Sequence, residues 1–287
     1  MIVLTETASA KVNLWLRVLG RRADGYHEIV SLVAFAALGD EVAVDPARPP
    51  DVETRGPFAP DITGRNLVQK TLDLLASRAP ALKLGRVQLT KTLPVAAGLG
   101  GGSADVAAVL RAVRDLNPDR RDGFDWNAIA LQLGADVPVC LTSRAGVMRG
   151  IGERIAPCEI PPLPVLLVNP RRPVPADKTA RVFQALGAGP VDGARALDVP
   201  ARLDVMGLLD LMREVGNDLE APALSVMPAI SDVKAALLGS SGCLHAQLSG
   251  AGPTCFGLFA SVAEAQAAGQ AMAVANPRWW IAATIVG

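Results

Sequence analysis

The stretch Pro94-Val-Ala-Ala-Gly-Leu-Gly-Gly-Gly-Ser-Ala-Asp105 places four glycines within five residues, directly before a helical pattern. Val87 and Leu89 alternate with polar residues before it, which predicts a short strand. Val106–Val113 carries apolar residues at helical spacing after it. The backbone N–H groups of such a loop can face a ligand, and the positive end of the helix dipole favours an anion. The sequence therefore predicts a phosphate-binding loop, and a nucleotide-using enzyme is the first hypothesis.

This glycine loop matches neither of the two common nucleotide-binding motifs. It lacks the Lys-Ser/Thr ending of a Walker loop, and Ser103 stands where the third glycine or alanine of GxGxxG would fall. The alternative interpretation is a helix packed tightly on a strand without a ligand. Phosphate binding is favoured because a serine follows the glycines at the predicted start of the helix.

Composition places the chain among ordinary globular proteins. Of its 287 residues, 50% are hydrophobic and 20% are charged, and 28 basic residues balance 28 acidic ones. The charge balance gives no indication of nucleic-acid or membrane binding, and the apolar run around Ile29–Leu38 is too short to span a bilayer. Four scattered cysteines without a CxxC pair predict reduced thiols rather than disulfides or a zinc site. We expect a cytoplasmic protein that is a monomer or a weak homodimer.

The predicted elements indicate a mixed α+β protein. A strand with alternating apolar and polar residues begins at Lys11 and ends at Gly20, Gly39-Asp40 is typical of a turn, and Pro46–Asp61 predicts a surface loop. Further helices are predicted at Asn66–Ala76, Trp126–Leu133, Thr179–Leu186, Met206–Glu214, Ser231–Leu238 and from Ser261 onwards. Further strands are predicted at Val165–Val168, Ala246–Leu248, Thr254–Phe259 and Trp279–Val286.

The best candidate for a domain boundary is Ile160-Pro-Pro-Leu-Pro164. Clustered prolines cannot continue a helix or a central strand. The length of the chain suggests about two domains. We therefore predict an N-terminal domain over residues 1–160 and a C-terminal domain over residues 165–287.

Two charged residues are candidates for chemistry. Lys11 lies on the polar face of the first strand, where it is either a solvated charge or a group that neutralises a transferring phosphoryl group. Asp136 follows a predicted helix stop at Gly134. It is either a turn or cap residue or a carboxylate that accepts a hydroxyl proton during phosphoryl transfer.

Two loops leave similar alternatives open. Tyr26 and His27 follow the turn signal Asp24-Gly25, and they either pack within the loop or stack on and hydrogen-bond a base. The glycine turn Ser249-Gly-Ala-Gly252 is either a hairpin turn or a second loop that lines the nucleotide.

Three motifs in order give the chain a resemblance to the GHMP kinases, a family that includes galactokinase, homoserine kinase and mevalonate kinase. They are Ala10-Lys-Val-Asn13, the glycine loop from Pro94 to Ala104, and Leu248-Ser-Gly-Ala-Gly-Pro253. The resemblance covers nearly the whole chain. It implies an α+β fold of two domains with the active site in the cleft between them.

Within this family, the chain resembles the members that phosphorylate cytidine diphosphate methylerythritol in non-mevalonate isoprenoid biosynthesis. The residues that carry this resemblance are Arg22-Ala-Asp-Gly-Tyr-His27, Leu133-Gly-Ala-Asp-Val-Pro138 and Asn217-Asp-Leu-Glu220. It implies transfer of the γ-phosphoryl group of ATP to the C2 hydroxyl of that substrate, with Mg²⁺. The motifs do not assign the metal ligands, and Ser103 is a candidate.

The resemblance also implies roles for the matched residues. Asp136 would be the general base, and Lys11 its electrostatic partner. The ATP-binding residues would be Pro94, Val95, Ala96, Ala97, Gly98, Leu99, Gly100, Gly101, Gly102, Ser103 and Ala104. The substrate-binding residues would be Asn13, Tyr26, His27, Asp136, Phe183, Ser249, Gly250 and Gly252. Phe183 would stack on the cytosine and is a candidate ring partner of His27, whereas Gln184 stands where some relatives carry lysine.

Two other functions stay open at this point. One is a different GHMP kinase, which would act on homoserine or a mevalonate derivative. The other is an ATP-binding lyase or a sensor on the same scaffold, and the presence of both Lys11 and Asp136 disfavours the sensor.

Overall fold

The computed structural model describes residues 3–64, 66–120, 123–192 and 197–287. Its strands, in chain order, are β1 (Leu4–Arg21), β2 (His27–Asp45), β3 (Asp51–Arg55), β4 (Arg86–Thr90), β5 (Gly146–Gly150), β6 (Arg154–Pro157), β7 (Leu163–Asn169), β8 (Cys243–Leu248), β9 (Cys255–Phe259) and β10 (Trp280–Val286). Its α-helices are α1 (Leu67–Arg78), α2 (Gly101–Leu116), α3 (Trp126–Leu133), α4 (Val137–Thr142), α5 (Lys178–Leu186), α6 (Val205–Val215), α7 (Glu220–Val226), α8 (Ile230–Leu238) and α9 (Val262–Ala275). Within these described ranges, no helix is long and apolar enough to cross a membrane.

The chain divides into two compact units, and neither is continuous in sequence. The first contains the described residues of Met1–Ala10, Leu38–Val95 and Gly100–Ser143. The second contains those of Lys11–Ala37, Ala96–Leu99 and Arg144–Gly287. These units follow spatial contacts rather than chain order, so the domain limits 1–160 and 165–287 stay a prediction.

The first unit combines a small sheet with helices α1 to α4. Strand β3 pairs in parallel with β4, and β4 pairs antiparallel with the last residues of β2, where Glu41 lies opposite Thr90. Helix α2 packs against α1, α3 and α4. Its apolar residues at helical spacing, Val106, Val109, Leu110 and Val113, are fully buried. The glycine loop therefore leads into the central helix of this unit.

The second unit is built on an antiparallel ladder in the order β10, β7, β9 and β8. The first part of β2 pairs with β5, which pairs with β6. Helices α8 and α9 pack against strands of the ladder, and residues of α5 and α7 join the same apolar core. This core includes Val182 of α5, next to Phe183, which the family resemblance assigns to cytosine binding.

Most of the predicted helices and strands are present, and their ends shift by a few residues. The predicted surface loop over Pro46–Asp61 is wrong in part, since β3 lies within it and pairs with β4. The prolines of Ile160–Pro164 do not exclude a strand either. Pro164 lies at the second position of β7, opposite Ile285 of β10, whereas pairing with β9 begins only at Val165. A proline is tolerated there because it stands at the start of the strand.

The predicted turn at Gly39-Asp40 is also wrong, because β2 runs through both residues without a break. A Cβ atom on Gly39 would come within 2.2 Å of the Ala8 carbonyl oxygen, so glycine is needed for close approach. The Asp40 carboxylate is fully buried and accepts hydrogen bonds from the N–H groups of Thr92 (2.6 Å) and Leu93 (2.8 Å). Contacts with residues that lie far along the chain thus override the local preference for a turn.

Asp40, Lys91 and Asp105 form a buried cluster, here called the acid–lysine cluster. The Lys91 ammonium donates to Asp105 Oδ2 (2.7 Å) and to Asp40 Oδ2. Burial lowers the pKa of Lys91, but the two carboxylates outweigh it and raise that pKa above its ordinary value. The cluster fixes the end of β4 to the first turns of α2, and so holds both ends of the glycine loop.

Asp105 holds a proton more readily than an exposed carboxyl group does. Burial, together with the nearby Asp40 carboxylate, raises the pKa of Asp105 to about 7, although Lys91 opposes the shift. Its Oδ1 atom is buried without a hydrogen-bond partner among the described residues. One ammonium between two carboxylates leaves one excess negative charge, which a proton on Asp105 removes.

Lys91→Met should lower the free energy of unfolding by about 3–5 kcal/mol, because it leaves the buried side chains of Asp40 and Asp105 without their cation. Urea denaturation followed by circular dichroism measures this loss. Lys83→Met is the control, since Lys83 is exposed and its change should stay within about 0.5 kcal/mol. Equal stability of the two variants would show that the cluster contributes nothing.

The free energy of unfolding of Asp105→Asn should increase relative to that of the wild type as the pH rises from about 4 to about 7. In this window the folded wild type keeps the proton on Asp105 while the unfolded chain has released it. The folded wild type therefore loses stability with rising pH, and asparagine cannot titrate. Urea midpoints of both proteins at several pH values measure the difference, and a difference independent of pH would contradict the assignment.

Candidate active site

Four successive carbonyl groups of the glycine loop, those of residues 96–99, each accept a hydrogen bond within the second unit. The donors, in order, are the Lys178 ammonium (3.0 Å), the Thr254 N–H (3.0 Å), the Ser249 hydroxyl (3.0 Å) and the Lys11 N–H (2.8 Å). In a trans peptide the C=O and the following N–H point to opposite sides. The N–H groups of residues 97–100 therefore point away from these donors, where they can meet an anion.

The dihedral angles of the loop favour the same arrangement. Ala96, Gly98 and Gly100 have φ values of 55°, 81° and 63°, so every second residue is left-handed. Alternation of this kind turns successive N–H groups toward a common concavity, which binds anions. Glycine is required at position 98, because a Cβ atom there would come within 2.7 Å of the carbonyl oxygens of Ser249 and Gly252. Helix α2 begins directly after Gly100, so the positive end of its dipole lies at this end of the loop.

The second glycine turn, Ser249–Gly252, supports the loop from the side of the carbonyls. The Ser249 hydroxyl is fully buried, where it accepts from the Asn13 N–H (3.2 Å) and donates to Gly98. The Asn217 side chain donates to the carbonyls of Leu248 (2.9 Å) and Gly250 (2.8 Å). Through these bonds Ser249 holds the glycine loop, and Asn217 holds the second glycine turn. Contact of Ser249, Gly250 and Gly252 with the substrate stays a prediction.

Lys11 and Asn13 are buried on β1, so the interpretation of Lys11 as a solvated charge is wrong. The Asn13 amide donates to the Ser31 hydroxyl (2.8 Å), which donates in turn to the Trp15 carbonyl (2.6 Å). Gly250 has a φ of 54°, and a Cβ atom there would lie 3.1 Å from Asn13 Oδ1. The polar side of this strand is thus held in place by hydrogen bonds beside the second glycine turn.

Asp136 precedes helix α4 in the first unit. It occupies the N-cap position, but its side chain makes no capping hydrogen bond, so the interpretation as a cap is wrong. Arg111 of α2 holds the other end of α4 by donating to the carbonyl of Cys140 (2.9 Å) and to Ser143 Oγ (3.3 Å). The half-buried carboxylate of Asp136 therefore stands at the start of a firmly anchored helix.

His27 and Phe183 form a stacked ring pair in the second unit. Their ring centroids are 4.7 Å apart and their planes differ by 26°, which confirms the predicted contact between the two rings. Burial, and to a smaller extent Arg21, lowers the pKa of His27, so the imidazole is neutral at pH 7. Tyr26 is 60% exposed in the preceding turn, which the Asp24 carboxylate stabilises by accepting from the Tyr26 N–H (3.1 Å).

The predicted site residues are distributed over both units. Pro94, Val95, residues 100–104 and Asp136 belong to the first, and the remaining predicted residues belong to the second. Lys178 contacts the loop directly, and no pattern in the sequence indicates this contact. No group of three or more His, Cys, Asp and Glu side chains that could hold a metal ion occurs in the described part of the chain.

Models of two protein domains match the chain. The N-terminal domain of GHMP kinases matches residues 66–144, and the C-terminal domain of GHMP kinases matches residues 201–276. The chain is 47% identical to 4-diphosphocytidyl-2-C-methyl-D-erythritol kinase of a Bradyrhizobium species, over 97% of this chain and 95% of that protein. The enzyme of the same description from Methylobacterium radiotolerans is 46% identical, over the full length of both chains.

Solved structures agree with these matches. A crystal structure of 4-(cytidine 5'-diphospho)-2C-methyl-D-erythritol kinase superposes with a TM-score of 0.76 at 32% identity, over 99% of both chains. Homoserine kinase from Cytophaga hutchinsonii shares the fold, with a TM-score of 0.69 at 20% identity over 98% of this chain and 94% of that one. With both domain models matched and full-length relatives at this level of identity, the chain belongs to the GHMP kinase family.

Proposed function

We propose that this chain transfers the γ-phosphoryl group of ATP to the C2 hydroxyl of 4-diphosphocytidyl-2-C-methyl-D-erythritol, in the non-mevalonate route to isoprenoid precursors. The observation that carries this proposal is the likeness, over nearly the whole chain, to relatives named as kinases of that compound. The likeness to homoserine kinase lies at an identity where only the fold is shared, so it gives no support to homoserine as the substrate.

The ring pair supports a cytidine substrate. A centroid distance of 4.7 Å leaves no room for a third ring between His27 and Phe183, so a base would stack on an outer face of the pair. A neutral imidazole has one donor and one acceptor, which suits the mixed donor and acceptor edge of cytosine. The exposed ring of Tyr26 offers a further surface for the base. We therefore assign Tyr26, His27 and Phe183 to cytosine binding.

Phosphoryl transfer depends mainly on positioning and on stabilisation of charge. We assign the phosphates of ATP to the glycine loop from Pro94 to Ala104, whose N–H groups are turned to one side by the bonds to its carbonyls. The buried Lys11 ammonium would stabilise the charge on the transferring group. Asp136, with its side chain not used as a helix cap, would accept the proton of the attacking hydroxyl.

Mg²⁺ fits this site as a cation that is held mostly by the phosphates of ATP. The described residues contain no group of three or more His, Cys, Asp and Glu side chains that could hold a metal ion, so phosphate oxygens and water would supply most ligands, with the Ser103 hydroxyl as the candidate from the protein. When bound, Mg²⁺ neutralises charge on the phosphates. We also propose a cytoplasmic location, which the lack of a disulfide among the four cysteines in the described residues supports, since reducing compartments keep cysteines as thiols.

Asp136→Asn should lower kcat by about 10²–10⁴-fold, because asparagine cannot accept the hydroxyl proton. Binding of ATP should stay close to that of wild type, since the glycine loop is untouched. The assay is ATP-dependent phosphorylation of 4-diphosphocytidyl-2-C-methyl-D-erythritol, with ATP affinity measured separately by calorimetry. Asp119→Asn, the same charge change at an exposed position, is the control.

Two outcomes of this assay would contradict the proposal. A turnover of Asp136→Asn near that of wild type would exclude Asp136 as the base. Phosphorylation of homoserine or mevalonate by the wild type, with kcat/KM comparable to that for the cytidine compound, would exclude the proposed substrate.

His27→Ala should raise the KM for the cytidine substrate by about 5- to 150-fold, which corresponds to the 1–3 kcal/mol that stacking of a base on an aromatic ring contributes. The KM for ATP should change less than twofold, because no hydrogen bond or ring contact among the described residues joins the ring pair to the glycine loop. Steady-state kinetics with each substrate varied in turn separate the two effects. An unchanged KM for the cytidine substrate would count against this binding site.

A further inference from the structure

Lys178 is a buried lysine that the proposed mechanism does not use. It is the first residue of α5, and its side chain is only slightly accessible. Its ammonium donates to two backbone carbonyls, those of Ala96 (3.0 Å) and Gly252. Ala96 is the first left-handed residue of the glycine loop, and Gly252 ends the second glycine turn. One side chain thus joins the two glycine segments.

The position of Lys178 is unfavourable for the stability of the fold. A cation at the first residue of a helix faces the positive end of the helix dipole. Among the ion pairs of the described residues, none includes Lys178, so its charge is balanced by carbonyl dipoles alone. Burial lowers its pKa to about 8. A methionine would fill similar space without these costs, and features that conflict with local preference concentrate at functional sites.

The two carbonyls that Lys178 binds explain why a lysine occupies this unfavourable position. Carbonyl groups that approach one another repel unless a donor lies between them, and a buried carbonyl without a donor is costly. Ala97, Gly98 and Leu99 receive donors from Thr254, Ser249 and Lys11. Ala96 receives its donor from Lys178, whose three N–H bonds allow it to serve Gly252 as well.

We propose that Lys178 is a positioning residue for nucleotide binding, which holds the Ala96 and Gly252 carbonyls so that the N–H groups of residues 97–100 face the phosphates of ATP. The positive charge of Lys178, on the side of the loop carbonyls, also favours binding of the phosphates. This inference rests on the proposed role of the glycine loop in ATP binding and is independent of the identity of the phosphate acceptor.

The test compares Lys178→Met, Lys178→Arg and Arg181→Met. Arg181→Met is the matched control, because it removes one positive charge from an exposed position of the same helix. Calorimetry with Mg·ATP and no second substrate gives the Kd. Steady-state kinetics of the same proteins give the KM for ATP, the KM for the phosphate acceptor and kcat.

Lys178→Met should raise the Kd and the KM for ATP about tenfold or more, while the KM for the acceptor changes less than twofold. Lys178→Arg keeps the charge and the donors, and it should recover most of the lost affinity. Arg181→Met should bind ATP as the wild type does. A general structural defect would instead raise both KM values and would not be recovered by arginine.

A folded Lys178→Met protein with the wild-type Kd for ATP would overturn the proposal. If that variant does not fold, Lys178→Gln replaces it, since its amide is polar but too short to reach both carbonyls. The same rise in Kd is then expected, and an unchanged Kd overturns the proposal. Absence of ATP binding by the wild type would instead refute the proposed nucleotide function itself, so the two failures are distinguishable.

Discussion

The hydrogen bonds to four successive carbonyls of the glycine loop are the constraint on which the site depends. Left-handed residues such as Ala96 are costly, and a loop without partners would not keep them. Here strand β1, helix α5 and the second glycine turn each contribute donors to those carbonyls. The same bonds satisfy the buried acceptors and decide which way the N–H groups face. The proposed binding of an anion is therefore a consequence of how the carbonyls are held.

Local signals in the sequence were sufficient for the parts of this arrangement that depend on neighbouring residues. The glycines and the helical spacing after them predicted the loop and α2, and alternation predicted β1. The family resemblance supplied what spacing could not, including the pairing of His27 with Phe183, which lie far apart in the chain. The fold class, two units of mixed helices and strands, followed from both.

The elements that could not be predicted depend on partners distant in sequence. Gly39-Asp40 has the composition of a turn, yet Lys91 and the backbone after it stabilise a buried aspartate within a continuous strand. Lys178 resembles any lysine at a helix start, and its proposed role depends on contacts with Ala96 and Gly252, which lie 82 and 74 residues away. The type of a residue does not predict such contacts, because the rest of the fold determines which residues are buried.

The reliance of the loop on main-chain N–H groups has a consequence for inhibition. Every residue type other than proline presents the same N–H, so exchanging one side chain for another leaves these donors in place. Substitution of Gly98, which would remove the concavity, forces a Cβ atom against two carbonyl oxygens. An inhibitor whose anionic group bound only to this concavity would leave few routes to resistance. If the loop binds ATP as proposed, a change that prevented binding of the inhibitor would also prevent binding of ATP.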